Sequence, residues 1–408
     1  MLWQHDSVDH TSKHSLDTEI MKRVPLLRSA LTALLLFTGW GAPSQAQWTI
    51  LQRDADSVMQ KGIDYIYNVR FDSAHACFEQ VKTLYPDHPA GYFMDAMVEW
   101  WKINLNRNVY SNDEWFLQKV EKVLEVCDKS LEADPKNLMG LFFKGGALGF
   151  RGRFYATRES MIKAANDGKD ALDLLETCQR IAPNNHDIML GTGLYNYFAM
   201  ALPEKYPVLV PIMTFFRSGD KALGILQLQA AARKARYARV EAQVVLMQVY
   251  YDWEKDYGKA VVIAKELNKR YPNNTYFHRY FGRSLVSTGP LDTMEILWRD
   301  VLNRCIAKQY GYETFTAREA LYYIGVVLMM KKDLPMALKY FYKADEASRV
   351  LDQDPSGFMV KTNLKIGQIY DMQGKRDLAI QQYEKVLGWT DYGGSRADAE
   401  RFTTTPFR

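Results

Sequence analysis

The feature that most constrains this 408-residue chain is a spacing. From Gly62, a tyrosine follows three residues on (Tyr65), a small residue twelve on (Ala74), an aromatic sixteen on (Phe78) and a proline twenty-four on (Pro86). Small residues at these offsets let two helices cross with their backbones close. A proline that late ends the second helix, because it has no N–H to give and clashes with the preceding turn. The phase persists along the chain: ten residues after each of Pro86, Pro135, Pro183 and Pro272 lies Ala96, Gly145, Gly193 or Gly282 in turn. A unit of about this length cannot bury an apolar face by itself, so the spacing predicts helical hairpins stacked on a shared interior.

The individual units can be followed in order. The first spans about residues 54 to 87. The second opens at Pro89, carries Trp100 and Trp101, and is lengthened by a polar loop from Asn104 to Asn112, where Ser111 and Glu114 have the spacing of a capping box. The third holds Gly145 and ends at Pro183, with Asn166-Asp167-Gly168 expected to interrupt its second helix. The fourth keeps Gly193 and then runs through Leu202 to Gly219, where Pro203, Pro207 and Pro211 stand among Val208, Leu209, Val210, Ile212, Phe215 and Phe216. A connection so apolar must be buried or bound. It either tucks against the inner face, the preferred reading, or docks on a membrane surface or a partner.

The fifth unit holds Tyr251, Ala260 and Pro272, and the sixth Gly282 and Trp298. A linker from Ala307 to Glu313 precedes the seventh (Gly325, Ala337, Phe341, Ala344) and the eighth (Gly367, Tyr370, Ala379, Tyr383). After Gly393 and Gly394, the polar stretch Ser395 to Phe402 reads as a capping helix. Strand signals are almost absent. The expected fold is all-α: a right-handed superhelical solenoid of about eight hairpins with insertions. Its organisation is expected as a leader over 1–46, an amino-terminal array over 47–304 and carboxy-terminal repeats with a cap over 314–408.

Charge and chemistry exclude more than they assign. A net charge of +4 without a basic tract points to neither nucleic acid nor an anionic membrane as a partner. Lys22, Arg23 and Arg28 precede the apolar run Leu31 to Phe37, which is followed by Gly39, Gly41, Pro43 and Ser44-Gln45-Ala46. This pattern reads as a secretory signal, with Met21 as the start and cleavage near Ala46; an uncleaved anchor is the alternative. Export to a bacterial periplasm or cell envelope is the expectation. Cys77, Cys127, Cys178 and Cys305 lack disulfide or zinc spacing and are expected as free thiols. The stretch Lys144 to Gly152 is glycine-rich, but no Gly-Lys-Ser/Thr closes it. His75, His88, His186 and His278 are scattered. No metal, cofactor or catalytic residue is therefore expected, and the chain reads as a non-enzyme.

The phased units, covering most of residues 54 to 387, resemble the tetratricopeptide-repeat family, whose signature positions here are Gly62, Ala74, Pro86, Gly145, Pro183, Gly193, Pro272, Gly282, Gly325, Ala337, Gly367 and Ala379. The resemblance implies that the first helices line a concave groove and that residues four and five places beyond each signature glycine face it. Those positions supply Tyr67, Trp100, Trp101, Phe150, Tyr197, Phe198 and Trp253 as a candidate ligand groove. The alternative is that the same side chains pack against the neighbouring repeat. The stretch Gly191 to Tyr197, with Gly219-Asp220-Lys221, is also similar to a subgroup of exported bacterial repeat proteins.

The function implied is a scaffold for a protein or extended peptide in the cell envelope. The second reading is a carbohydrate-binding or polymer-export accessory protein, with a polysaccharide on the aromatics. A third is an enzyme with its site in the fourth-unit insertion. Residues 202–219 would supply any membrane contact.

Overall fold

The computed structural model describes residues 51, 53–214 and 216–408. The expected leader, its cleavage near Ala46 and Phe215 lie outside the described residues. The described residues from 53 onward form one compact unit.

One local contact recurs along the stack. A Cβ added to Gly62 would sit 2.5 Å from the Phe78 ring, at Gly282 2.7 Å from Trp298, at Gly325 2.9 Å from Phe341, and at Gly367 2.6 Å from Tyr383. Each pair is sixteen residues apart, so the glycine of one helix is the floor on which the aromatic of the next one lies. Phe78, Trp298, Phe341 and Tyr383 are fully buried, as are Ala74, Ala337 and Ala379 beside them. Boundaries are set by capping side chains and prolines: Asn137 accepts from Gly140 N, Asp256 from Lys259 N and Asp333 from Met336 N.

Eight hairpins succeed one another among the described residues. They are α1 (Arg53–Tyr67) with α2 (Phe71–Leu84), α3 (Pro89–Leu105) with α4 (Asp113–Ala133), α5 (Leu138–Thr157) with α6 (Met161–Ile181), and α7 (Ile188–Lys205) with α9 (Lys221–Lys234). The short α8 (Val210–Met213) lies between the last two. Next come α10 (Arg239–Gln248) with α11 (Tyr257–Arg270), α12 (Thr275–Thr288) with α13 (Leu291–Ile306), α14 (Thr314–Met330) with α15 (Leu334–Leu351), and α16 (Gly357–Met372) with α17 (Arg376–Leu387). The final helix, α18 (Ser395–Thr404), covers the end of the stack: Phe402 lies on Tyr383 at 5.7 Å. The all-α hairpin solenoid with insertions is the fold observed.

Three local expectations are corrected. Helix α4 starts at Asp113 with Asn112 at its cap and no side-chain capping bond, so Ser111 and Glu114 form no capping box. Helix α6 runs unbroken through Asn166-Asp167-Gly168, because Asp167 is buried and held by Arg151 Nε and Nη2 at 2.8 and 2.9 Å. The break falls earlier, at Arg158 to Ser160, where Glu159 takes a left-handed φ of 58°. The apolar insertion is only partly covered. Helix α7 continues through Pro203, a 3-10 turn occupies Pro207–Leu209, and Tyr206 and Val210 remain 43% and 45% exposed.

The first two hairpins are tied by a charged cluster. His75 on α2 places Nδ1 on Asp95 and Nε2 3.2 Å from Glu99, both on α3, while Lys82 and Lys119 reach Asp95 at 3.2 Å and Lys102 and Lys119 reach Glu99 at 3.2 and 3.1 Å. Burial alone would raise both carboxyls. The His75 hydrogen bonds and the lysine charges overcome it, holding Glu99 down at about 2 and Asp95 well below the usual range. Hydrogen bonds to these carboxylates raise His75. The carboxylates therefore stabilise the fold above about pH 4, a contribution lost as pH falls through their depressed values. His75 stabilises it below about pH 6.5, and this is lost as pH rises through its raised value. In urea unfolding at pH 5.5 and 8, the stability advantage of the native chain over His75→Gln should be larger at pH 5.5 and shrink at pH 8, because buried His88 and His278, both held down at about 4, contribute equally in the two chains. An unchanged slope between pH 6.5 and 8 in that variant would contradict the assignment.

Candidate functional site

The inner wall is made by the first helix of each hairpin. Helices α1, α3, α5 and α7 lie side by side, α10 comes next, and α12 returns to touch α3. The array thus coils back on itself. Tyr67 at the end of α1 meets Trp101 of α3 edge-on at 5.1 Å, and Trp101 meets Tyr276 and Phe277 of α12 at 5.7 and 5.5 Å. Asn274 caps α12 with its Oδ1 on Tyr276 N at 3.0 Å, and its Nδ2 donates to the Tyr67 carbonyl at 3.0 Å. One buried amide therefore starts one helix and anchors the end of another more than 200 residues away. A second tie joins Asp56 of α1 to Arg236 and to the Tyr237 hydroxyl. The carboxylate of Asp187 accepts from the backbone N–H of Arg236, Tyr237 and Ala238 at 3.2, 2.8 and 2.8 Å, fixing the entry to α10.

Coiling back divides the aromatic positions into two groups. Tyr67, Trp100, Trp101 and Tyr197 are buried in the interior, at 5, 1, 2 and 0% exposure, and pack against neighbouring repeats. Phe150, Phe198 and Trp253 are half-buried and remain within reach of a partner. Tyr67, Trp101 and Phe150 share a largely apolar cavity of about 100 Å³ with residues including Ile63, Met97 and Leu190. At its side Arg153 stacks on Trp100 and Phe150, at 4.9 and 5.2 Å from the ring centres, and donates from Nη1 to Glu241 at 2.7 Å. This pair closes a ring of helices across 88 positions of sequence.

The accessible aromatics gather where α7 meets α10. Phe198 and Trp253 pack edge-on at 5.2 Å, Tyr206 joins at 6.5 Å, and Lys205 Nζ stands 4.2 Å over the Trp253 ring. Trp253 is presented by a π-turn, Val249–Trp253, that ends α10. The Tyr197 hydroxyl donates to Glu254, and Lys221 lies 3.4 Å from the same carboxylate. Arg153, Glu241, Asn274, Asp56 and Arg236 leave no signal in the spacing, because each acts on a partner far away in sequence.

Among the described residues no three of His, Cys, Asp and Glu are grouped to hold a metal ion. All four cysteines are free, and burial pushes the thiols of Cys127, Cys178 and Cys305 up to about 12, where they are poor nucleophiles. Among the described residues no helix is long and apolar enough to cross a membrane.

Residues 362–388, which include most of α16 and all of α17, match the tetratricopeptide repeat family. The chain carries a tetratricopeptide repeat. Its glycine-under-aromatic contact, Gly367 beneath Tyr383, recurs at Gly62, Gly282 and Gly325, so the array is of the tetratricopeptide type well beyond the matched segment. A search of curated proteins finds no match.

Solved structures similar to this tetratricopeptide array include yeast Tom70, at 11% identity over 87% of this chain and 89% of that one, with a TM-score of 0.38. Human IFIT1 as a dimer with PPP-AAAA has 13% identity over 86% and 85%, with a TM-score of 0.40. A Rap protein complexed with competence and sporulation factor has 14% identity over 88% and 81%, with a TM-score of 0.32. Similarity this distant brings no partner with it.

Proposed function

We propose that this chain is a scaffold that, after export, holds a protein or extended peptide in the cell envelope through the accessible part of its inner wall. The observation that carries the reading is the Phe198 and Trp253 pair, half-buried, 5.2 Å apart and flanked by exposed Tyr206. Aromatic side chains that are already held rigid lose little entropy on binding and offer large apolar faces, which is what an extended peptide needs from a groove. Exposed Met200 on the same helix adds a surface that adapts to different side chains. The amino-terminal pattern from Lys22 to Ala46 supports export.

A photoreactive phenylalanine at position 198, activated in living cells, tests this. The expected result is a discrete crosslinked partner in the envelope fraction, joined to a mature chain that begins near Gln47. Trp253→Ala with Tyr206→Ala should reduce recovery of that partner by about tenfold or more while the helical circular dichroism is unchanged. Crosslinks to sugar polymer alone would transfer the site to the carbohydrate reading, and an unprocessed cytosolic chain would remove the envelope role.

A further inference from the structure

We propose that a polar pocket between the second-hairpin loop and hairpins six and seven binds a phosphate-type oxyanion, the terminal phosphoryl group of a small ester. The pocket has a volume of about 230 Å³ and shares no lining residue with the apolar cavity. Three walls build it: Asn104 and Arg107 from the end of α3 and its loop, Arg279, Tyr280 and Arg283 from α12, and Thr316 from the first turn of α14. The inference rests on geometry that does not depend on the scaffold reading.

The arginines are held ready. Arg279 and Arg283 lie one turn apart on α12 and both use Nε and Nη2 on the fully buried Glu319, at 2.8 and 2.7 Å for Arg279 and 2.8 Å for the Nη2 of Arg283. Their Nη1 groups have no hydrogen-bond partner among the described residues, and each side chain keeps 20% exposure. Arg107 approaches from the opposite wall, exposed, its guanidinium bonded only to Asn104 Oδ1 at 3.1 Å and without an ion pair among the described residues. Glu319 fixes two guanidinium planes without filling the space in front of them.

Charge and shape then select the ligand class. Three guanidiniums and no carboxylate line the pocket; Glu319 stands behind two of them, the Tyr280 hydroxyl holds Asp252 at 2.7 Å, and Glu313 caps α14. Donors arriving from opposite walls surround a ligand, which suits a tetrahedral oxyanion better than a planar carboxylate met from one edge. The volume is below the roughly 300–1,000 Å³ of sites that enclose a whole ligand, so one phosphoryl end enters and the remainder stays outside.

Calorimetric titration of the full chain with inorganic phosphate, glycerol 3-phosphate and acetate tests this. Saturable binding of the two phosphates and not of acetate is expected, weakening with added salt. Arg107→Ala, at an exposed position whose side chain supports no other element, should weaken phosphate binding by about tenfold or more. Arg401→Ala, on α18 where the side chain pairs with Asp398 and lies over Phe402, should leave it unchanged. No saturable binding by the native chain, or full affinity in Arg107→Ala, would overturn the site. Tighter binding of free phosphate than of the ester would overturn the ester assignment.

Discussion

Glu319→Ala is expected to destabilise the fold by about 3–5 kcal/mol, because it leaves two arginines desolvated without a counter-ion. Glu319 is fully buried on α14 and is the shared partner of Arg279 and Arg283. Burial alone would raise its carboxyl, but the two guanidinium charges prevail and hold it down at about 2, so it is ionised at any working pH. A loss of that size is a large share of the roughly 5–15 kcal/mol available to a folded domain. Urea unfolding followed by circular dichroism measures it. Glu319→Gln should lose less, since the amide oxygen still accepts from one guanidinium. A loss in Glu319→Ala below about 1 kcal/mol would mean that solvent reaches the arginines and that the pocket they line is not preorganised.

Trp101→Ala is expected to cost a similar amount, about 3–5 kcal/mol, from lost transfer energy plus the cavity left behind. Trp101 is 2% exposed, and its edges meet Tyr67, Tyr276 and Phe277 from α1 and α12. The effect should have a particular distribution. Because Trp101 is where the array coils back, amide hydrogen exchange should speed up at the end of α1 and the start of α12 more than in α16 and α17. Trp115→Ala, at a 61% exposed site on α4, should change stability by less than about 0.5 kcal/mol. Equal losses at the two tryptophans, or uniform acceleration of exchange, would show that the contact between α3 and α12 contributes little to holding the array.

The offset of sixteen from Gly62 to Phe78 and from Gly282 to Trp298 is legible in the chain itself, because a hairpin's internal contact is local: one segment supplies both partners. The prolines after α2, α4, α6 and α11 are legible for the same reason. Asn166-Asp167-Gly168 misleads, since its polarity suggests a break while Arg151, on the preceding helix, supplies the missing partner. The aromatic positions are legible but their exposure is not. Trp100 and Phe150 come from successive repeats and lie against one another at 5.7 Å, yet one is buried and the other half-buried.

The hairpins, their number and their order are written into local sequence, because each unit's glycine, alanine, aromatic and proline act on neighbours within a few turns. How tightly the array coils is settled in three dimensions alone. It depends on Asp56 with Arg236, Tyr67 with Asn274 and Trp101 with Phe277, the first two pairs being 180 and 207 residues apart. Such pairs leave no periodic trace, since a small rotation between successive hairpins, summed over several of them, fixes which distant side chains finally meet. The buried aromatic wall, the accessible pair at Phe198 and Trp253, and the arginine pocket are all products of that accumulated rotation.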